Sequence, residues 1–218
     1  MRLNKYIALA TGLSRRAADL TIKNKQIFIN DNLADTGQSV SLNDVVKLNN
    51  IVIKPSVFQT ILLNKPTGYV VSRNGQGSKT IYDLLPQKFH ALKPIGRLDK
   101  DSSGLLILTN DGNLANKLTH PSNQKSKVYK ISLDKSLQDK HRRQINRGIE
   151  LSDGISTMNI RGQNKEWTVT MSEGRNRQIR RTFKSIGYNV LKLHRIQFGE
   201  YQLNNIASGE HIDTKYKT

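Results

Sequence analysis

Residues 96–112 read GRLDKDSSGLLILTNDG, and the fold of the larger part of the chain turns on them. A knot of charges opens the stretch: Arg97, Asp99, Lys100 and Asp101. The apolar run Leu105 to Leu108 follows, and Thr109-Asn110-Asp111-Gly112 closes it. A short apolar run bounded by turn residues predicts a buried strand. Charged side chains rarely enter a core unpaired. A charged knot at the mouth of such a strand is therefore either a solvated loop or a place where the charges meet a partner. Asp111, within Asn-Asp-Gly, fits a turn. An Asp beside an Arg at the strand mouth fits the second description, because a nearby arginine favours an ionised carboxylate.

Outward from this stretch, the composition narrows the partner. The 218 residues carry 35 Lys+Arg against 17 Asp+Glu, a formal net charge of +18. No fold needs that imbalance, and it attracts polyanions. Nucleic acid is the first expectation and an anionic membrane surface the second. No stretch approaches the roughly 18 apolar residues of a membrane span. The start, MRLNKYIALATG, is too short and polar for a signal peptide. With no cysteine, there is no disulfide, thiolate zinc site or thiol nucleophile. His90, His120, His141, His194 and His211 are scattered, with no pair at metal-ligand spacing. A soluble, cytoplasmic chain without a metal is expected, and a monomer, since no apolar heptad stripe is evident.

The first fifty residues read as a separate unit. Leu3, Tyr6, Ile7 and Ala10 lie at helical spacing and Gly12 ends that helix. Ser14 can cap a second helix, Arg15 to about Lys23, whose first turn carries two arginines against the helix dipole. Ile27–Ile29 and Val45–Leu48 read as strands around the turn Asn30-Asp31-Asn32. Arg2, Lys5, Arg15 and Arg16 are candidate RNA contacts on the helical part. The pieces RLNKYIA, GLSRRAAD, IFIN and DNLADTGQSV resemble the S-four RNA-binding domain over nearly all of residues 1–48. Residues 49–57 are expected to be a linker. Up to Val57 there are 8 basic and 4 acidic residues, and after it 27 and 13, so the nets are +4 and +14. The larger part, 58–218, is basic in its own right.

In that part Thr60–Leu63, Tyr69–Val71, Lys127–Leu133, Trp167–Met171, Asn189–Leu193 and Gln197–Leu203 are expected strands, and the tail from Asn204 a frayed end. RNGQGSKT, residues 73–80, partly resembles a phosphate-binding loop, but Ser78 stands where glycine should precede Lys79, so nucleotide binding is rejected. EGRNRQIRRTFKSIG, residues 173–187, predicts a helix of about three turns with apolar Ile179, Phe183 and Ile186. Arg177, Arg180, Arg181 and Lys184 form its basic face, and Arg175 precedes it. Like charges at this spacing repel, so a phosphate or carboxylate partner is expected. One carboxylate without a second, without a Ser-His pair and without zinc argues against most hydrolases. From the residues alone, the reading reaches an RNA-binding chain with a possible catalytic aspartate.

GRLDKDSSGLLILTNDG, with NKPTGYVVS, TIYDLLP, KVYKISL and EGRNRQIRRTFKSIGYNVLKLHRIQFG in this order, is similar to the signature of the ribosomal-RNA pseudouridine synthases of the RsuA/RluB/RluE/RluF family, across residues 58–203. The resemblance implies an α+β chain whose catalytic domain has a mixed, mostly antiparallel central sheet flanked by helices, crossed by a cleft. It implies isomerisation of a flipped-out uridine with no cofactor and no metal. By resemblance Asp99 is the catalytic aspartate, Tyr129 the active-site tyrosine, and Arg180 the arginine pairing with the aspartate. Arg97 holds the RNA, Leu98 and Ile179 wall the pocket, and Arg175, Arg177 and Arg181 contact RNA. Large-subunit (23S) ribosomal RNA is the expected target, with small-subunit (16S) ribosomal RNA or transfer RNA as alternatives. The competing reading is a non-catalytic RNA-binding protein or ribosome-assembly factor.

Overall fold

A computed structural model describes residues 1–214 and divides the chain into two compact units, Met1–Phe58 and Gln59 onward. In the first unit, helix α1 (Leu3–Thr11) ends at Gly12, whose φ of 78° is the left-handed turn that glycine adopts without strain. Helix α2 (Arg15–Lys23) starts where the Ser14 hydroxyl accepts the Ala17 N–H at 3.0 Å. Strands β1 (Ile27–Ile29), β2 (Asn32–Leu33), β3 (Val46–Leu48) and β4 (Ile51–Val52) form an antiparallel sheet in the order β2-β1-β3-β4. β4 lies inside the stretch expected to be a linker. It pairs with β3 through a turn whose two asparagines, Asn49 and Asn50, take positive φ. Leu3, Ile7, Ala18, Ile22, Ile27 and Val46 make the unit's core.

The second unit is built on one nine-stranded sheet. Its strands are β5 (Thr60–Lys65), β6 (Lys93–Ile95), β7 (Ser103–Thr109), β8 (Lys127–Leu133), β11 (Asn159–Gln163), β12 (Glu166–Met171), β13 (Val190–Phe198), β14 (Tyr201–Gln202) and β15 (His211–Thr214). β9 (Ile149–Leu151) and β10 (Gly154–Ser156) form a separate hairpin. The path runs β11-β12-β8-β13-β7-β5-β15, with β14 on β13 and β6 on β7. Every pairing is antiparallel except β13 with β7. Helices α3 (Gly112–Thr119), α4 (Asp139–Arg147) and α5 (Gln178–Ser185) flank it.

Alternation explains why the apolar run of β7 is unbroken. Ile61, Leu63, Leu106 and Leu108 face one core together with Tyr129, Ile131 and Phe183. Leu62, Leu105 and Ile107 face the other with Leu114 and Phe198. A central strand covered on both faces needs no polar positions. Asp111 is the N-cap of α3, its carboxylate accepting the Asn113 N–H at 2.8 Å. Three expectations are corrected. Tyr69–Val71 carries only an isolated bridge, Val70 to Thr80. The two strands expected over Asn189–Leu203 are the nine-residue β13 with the short β14 folded back on it. The tail expected to fray holds β15, which pairs with β5 from Thr60↔Thr214 to Leu63↔His211. Its last four residues, 215–218, lie outside the described part.

The feature that makes room for a site is a shared strand edge. β13 pairs with β7 only at His194↔Ser103 and Arg195↔Gly104. Beyond that, β6 takes over the same strand at Ile95↔Ile107 to Lys93↔Thr109. The chain between β6 and β7, residues 96–102, emerges where those two neighbours part.

Candidate active site

The loop 96–102 is held by its own carbonyls. The Lys65 ammonium, at the end of β5, donates to the carbonyls of Pro66, Asp99 and Ser102 at 3.0, 3.1 and 2.8 Å. The Gly68 N–H donates to the Lys100 carbonyl at 2.7 Å, and the Ser102 N–H closes back on the Asp99 carbonyl at 3.1 Å. With these carbonyls taken, the Asp99 and Asp101 carboxylates are left to meet Arg177. Lys65 is 0% exposed. Burial pulls its pKa down from 10.5 to about 8, an effect reinforced by Arg195 and opposed by the charges of Asp99 and Asp101.

A cavity of about 740 Å³ opens beside this loop. Asp99, Arg97 and Leu98 line it from the loop, Tyr129 and Lys127 from β8, Arg195 and Phe198 from β13, and Arg175, Arg177 and Ile179 from the start of α5. That volume lies in the range of small-molecule sites. Leu98, Tyr129 and Ile179 are buried, Asp99 is partly exposed and Arg97 is exposed. Tyr129 faces Val169 on one side and Arg195 on the other across the sheet.

The basic segment before and within α5 is organised by two carboxylates. Asp101 takes a bidentate pair from Arg177, Nη1 to Oδ1 at 2.9 Å and Nη2 to Oδ2 at 3.0 Å. Arg177 can reach because it stands at the helix N-cap with φ 46°, the left-handed region, which swings it off the helical spiral. Arg180, 13% exposed at its side chain, sits one turn on. It donates to the carbonyls of Val190 at 2.5 Å and Asp101 at 2.9 Å, and approaches the Asp101 carboxylate at 3.3 Å. Hydrogen bonds from Arg177 hold the Asp101 carboxyl below the usual carboxylate range; partial burial opposes this, and the charges of Arg180 and Arg177 add to it. Asp153, in the turn between β9 and β10, takes Arg181 at 2.9 and 2.6 Å and Arg175 at 3.0 Å.

Two expectations are therefore corrected. Arg180 does not pair with Asp99. The arginine near Asp99 is Arg177, Nη1 to Oδ2 at 3.5 Å, while Arg180 is committed to Asp101 because it lies a turn further from the loop. The basic face of α5 is not without acidic partners: Asp101 and Asp153, 76 and 28 residues away in sequence, engage Arg177 and Arg181. The structure brings Asp99, Tyr129, Arg97, Leu98, Ile179, Arg175 and Arg177 to one cavity. Arg180 and Arg181 are not among the residues that line it, and Arg2, Lys5, Arg15 and Arg16 belong to the first unit. Sequence reading missed Lys65, Arg195 and Asp153. For Lys65 the signal was available: a lysine closing the apolar strand TILLNK, where a core admits charge only with partners. Among the described residues no His, Asp or Glu group could hold a metal ion, and no helix is long and apolar enough to cross a membrane.

Comparison with known proteins agrees with this architecture. A family model described as RNA pseudouridylate synthase matches residues 59–185. A dual-specificity RNA pseudouridine synthase, RluF, from Escherichia coli (strain K12) is 36% identical, over 98% of this chain and 75% of its own. The ribosomal large subunit pseudouridine synthase B of Bacillus subtilis (strain 168) is 34% identical, over 96% of this chain and 90% of its own. A solved structure described as a pseudouridylate synthase superposes with a TM-score of 0.70 at 28% identity, covering 99% of this chain and 96% of that one. With the family's signature stretch forming one wall of the cavity and the match running almost end to end, this chain belongs to the RNA pseudouridylate synthase family.

Proposed function

We propose that this RNA pseudouridine synthase acts on a uridine of large-subunit ribosomal RNA, with Asp99 as the group that works at the sugar's anomeric carbon. The observation that carries the reading is the composition of the cavity wall. One partly exposed carboxylate, Asp99, stands with a buried tyrosine, Tyr129, the apolar Leu98 and Ile179, and guanidinium groups at the rim. A uridine in a paired helix hides its glycosidic bond, so the base must leave the stack to enter. Tyr129 supplies a flat face for it, Leu98 and Ile179 exclude water, and exposed Arg97 takes a phosphate.

Asp99 acts at C1′ as the C1′–N1 bond breaks. The electron pair leaves with the uracil, which turns and bonds to C1′ through C5. The C5 proton is lost and N1 is protonated, so nothing is consumed. Lys65 and Arg180 are positioning residues: one fixes the carbonyls under Asp99, the other the Asp101 end of the same loop. Arg2, Lys5, Arg15 and Arg16 add RNA contacts from the first unit, in keeping with its resemblance to an S-four domain. Arg175 shapes the rim, and Arg181 contributes by holding Asp153, the carboxylate that Arg175 also engages. The enzyme works as a cytoplasmic monomer.

The large-subunit assignment is supported by the printed name of the Bacillus relative. Because the Escherichia relative is named dual-specificity, the test includes a second RNA pool. Unmodified transcripts of both ribosomal RNAs, and bulk transfer RNA, are incubated with the protein and with Asp99→Asn, and pseudouridines are mapped by carbodiimide-dependent reverse-transcription stops. The expected result is one or more new stops on large-subunit RNA with wild type alone, with the variant binding RNA within a few-fold of wild type. Stops with Asp99→Asn equal to wild type would remove Asp99 from the chemistry. Stops on another RNA only would move the target.

A further inference from the structure

The cavity wall contains a charged donor that the reading above leaves unused. Arg195 is 2% exposed, and its Nη2 has no hydrogen-bond partner among the described residues. It stands on β13 directly opposite Tyr129 of β8, so the two side chains lie side by side on one face of the sheet. Its Nε donates to the Leu105 carbonyl at 2.7 Å, just beyond the point where β7 leaves β13. Phe198 supports the guanidinium carbon at 5.2 Å from its ring centre. The group is thus anchored through Nε at the cavity wall, with Nη2 enclosed behind it. A guanidinium stays charged at any ordinary pH, and an unpaired buried donor is costly. The Ser102 hydroxyl, on the same wall, is likewise buried without a partner.

We infer that the Arg195 guanidinium is the uracil-binding donor of this enzyme, bonding a carbonyl oxygen of the flipped base most strongly while the ring is detached. The inference rests on the synthase reading. When the C1′–N1 bond breaks, its electron pair leaves with the ring, and the negative charge spreads over N1 and the carbonyl oxygens. A fixed, desolvated cation beside those oxygens stabilises that charge without reorganising. Once the C1′–C5 bond has formed, the C5 proton has gone and N1 has gained one, so the ring is neutral again and the bond relaxes. Such a contact lowers the barrier more than it tightens RNA binding. It also favours uracil over cytosine, whose C4 carries an amino donor where uracil has an acceptor.

The test is a cycle between residue and substrate atom. Wild type and Arg195→Met are assayed under single turnover on a synthetic stem-loop carrying the mapped uridine, then on the same RNA with 2-thiouridine or 4-thiouridine at that position. The expected result for Arg195→Met is a rate loss of about 10²-fold, the usual scale for one preorganised donor to a developing anion, with RNA affinity within a few-fold. At one of the two carbonyls, the sulfur substitution slows wild type but adds no further loss in the variant, because a shared contact cannot be lost twice. A rate for Arg195→Met within a few-fold of wild type would overturn the inference. So would thio penalties that are equal in both proteins at both positions. If near-ultraviolet circular dichroism shows Arg195→Met misfolded, Arg195→Lys, which keeps the charge but not the two-pronged geometry, takes its place in the same cycle. Wild type inactive on every RNA would instead overturn the synthase reading, and this inference with it.

Discussion

Lys65→Met should remove one pH-dependent contribution to stability. In the folded protein the Lys65 ammonium is out of water and its pKa drops from 10.5 to about 8. The sign follows directly. Between pH 8 and 10.5 the unfolded chain keeps the proton that the folded chain has released, so stability rises with pH across that window. The drop is worth about 3 kcal/mol when the window is fully crossed. Below pH 8 this stability is absent, and the three charge-assisted hydrogen bonds to Pro66, Asp99 and Ser102, each worth roughly 1.5–3 kcal/mol, carry the group instead. Methionine, of similar length, fills the space and loses those bonds.

Trp167, the chain's one tryptophan, sits on β12 of the second unit, so its fluorescence reports that unit's unfolding. Urea melts at pH 7, 8, 9 and 10 should show wild type more stable than Lys65→Met at pH 7 by about 2–5 kcal/mol, once the recovered cost of burying charge is set against the lost bonds. The gap should widen by about 2 kcal/mol by pH 10. A gap constant with pH would mean that Lys65 titrates in the folded protein as it does in water. A gap that narrows would mean that the carbonyl bonds hold the charge more firmly than burial disfavours it.

Other changes probe the same frame. Gly104→Ala places a Cβ 2.2 Å from the Arg195 carbonyl oxygen and 2.6 Å from its nitrogen, both backbone atoms, at a φ of 103°. The β7–β13 junction must open, so the variant should melt markedly lower and lose isomerisation; a melting temperature unchanged by calorimetry would refute the tight approach. Asp101→Asn removes the charge shared by Arg177 and Arg180. Because the carboxylate side chain is 49% exposed, the stability cost should stay on the order of 1 kcal/mol. The single-turnover rate should fall about tenfold or more through misplacement of the loop, and a rate equal to wild type would show that the loop needs no such clamp.

The short-range features of the fold were legible because each element carries its own instructions. The Ser14 cap, the Gly12 stop and the alternating Lys127–Leu133 strand are local chemistry, and all are present as read. α5 begins later than Asn176 suggests because Arg177 is drawn to Asp101, a partner 76 residues away that no local pattern names. β15 contains one strongly apolar residue, Ile212, so no periodicity marks it; its hydrogen bonds come from the open edge of β5. The site divides in the same way. Asp99, Tyr129, Leu98 and Ile179 sit in recognisable motifs and share one cavity. Arg195 and Asp153 matter through register and long-range pairing, which appear only when the sheet is assembled.

The late strand β15 has a consequence for synthesis. The β5 end of the sheet is closed by residues far downstream: Gln59 and Asp213, joined by a side-chain hydrogen bond, are 154 residues apart. All six residues of β5 are buried in the finished molecule. On a growing chain, β5 has no inner neighbour until residues 103–109 have been made, and its outer edge stays bare until residues 211–214 emerge. An unpaired, largely apolar edge is a template for strands of other molecules. For most of the time the ribosome spends on this polypeptide, the apolar strand β5 has an open edge, and chains interrupted before residue 211 keep that edge open.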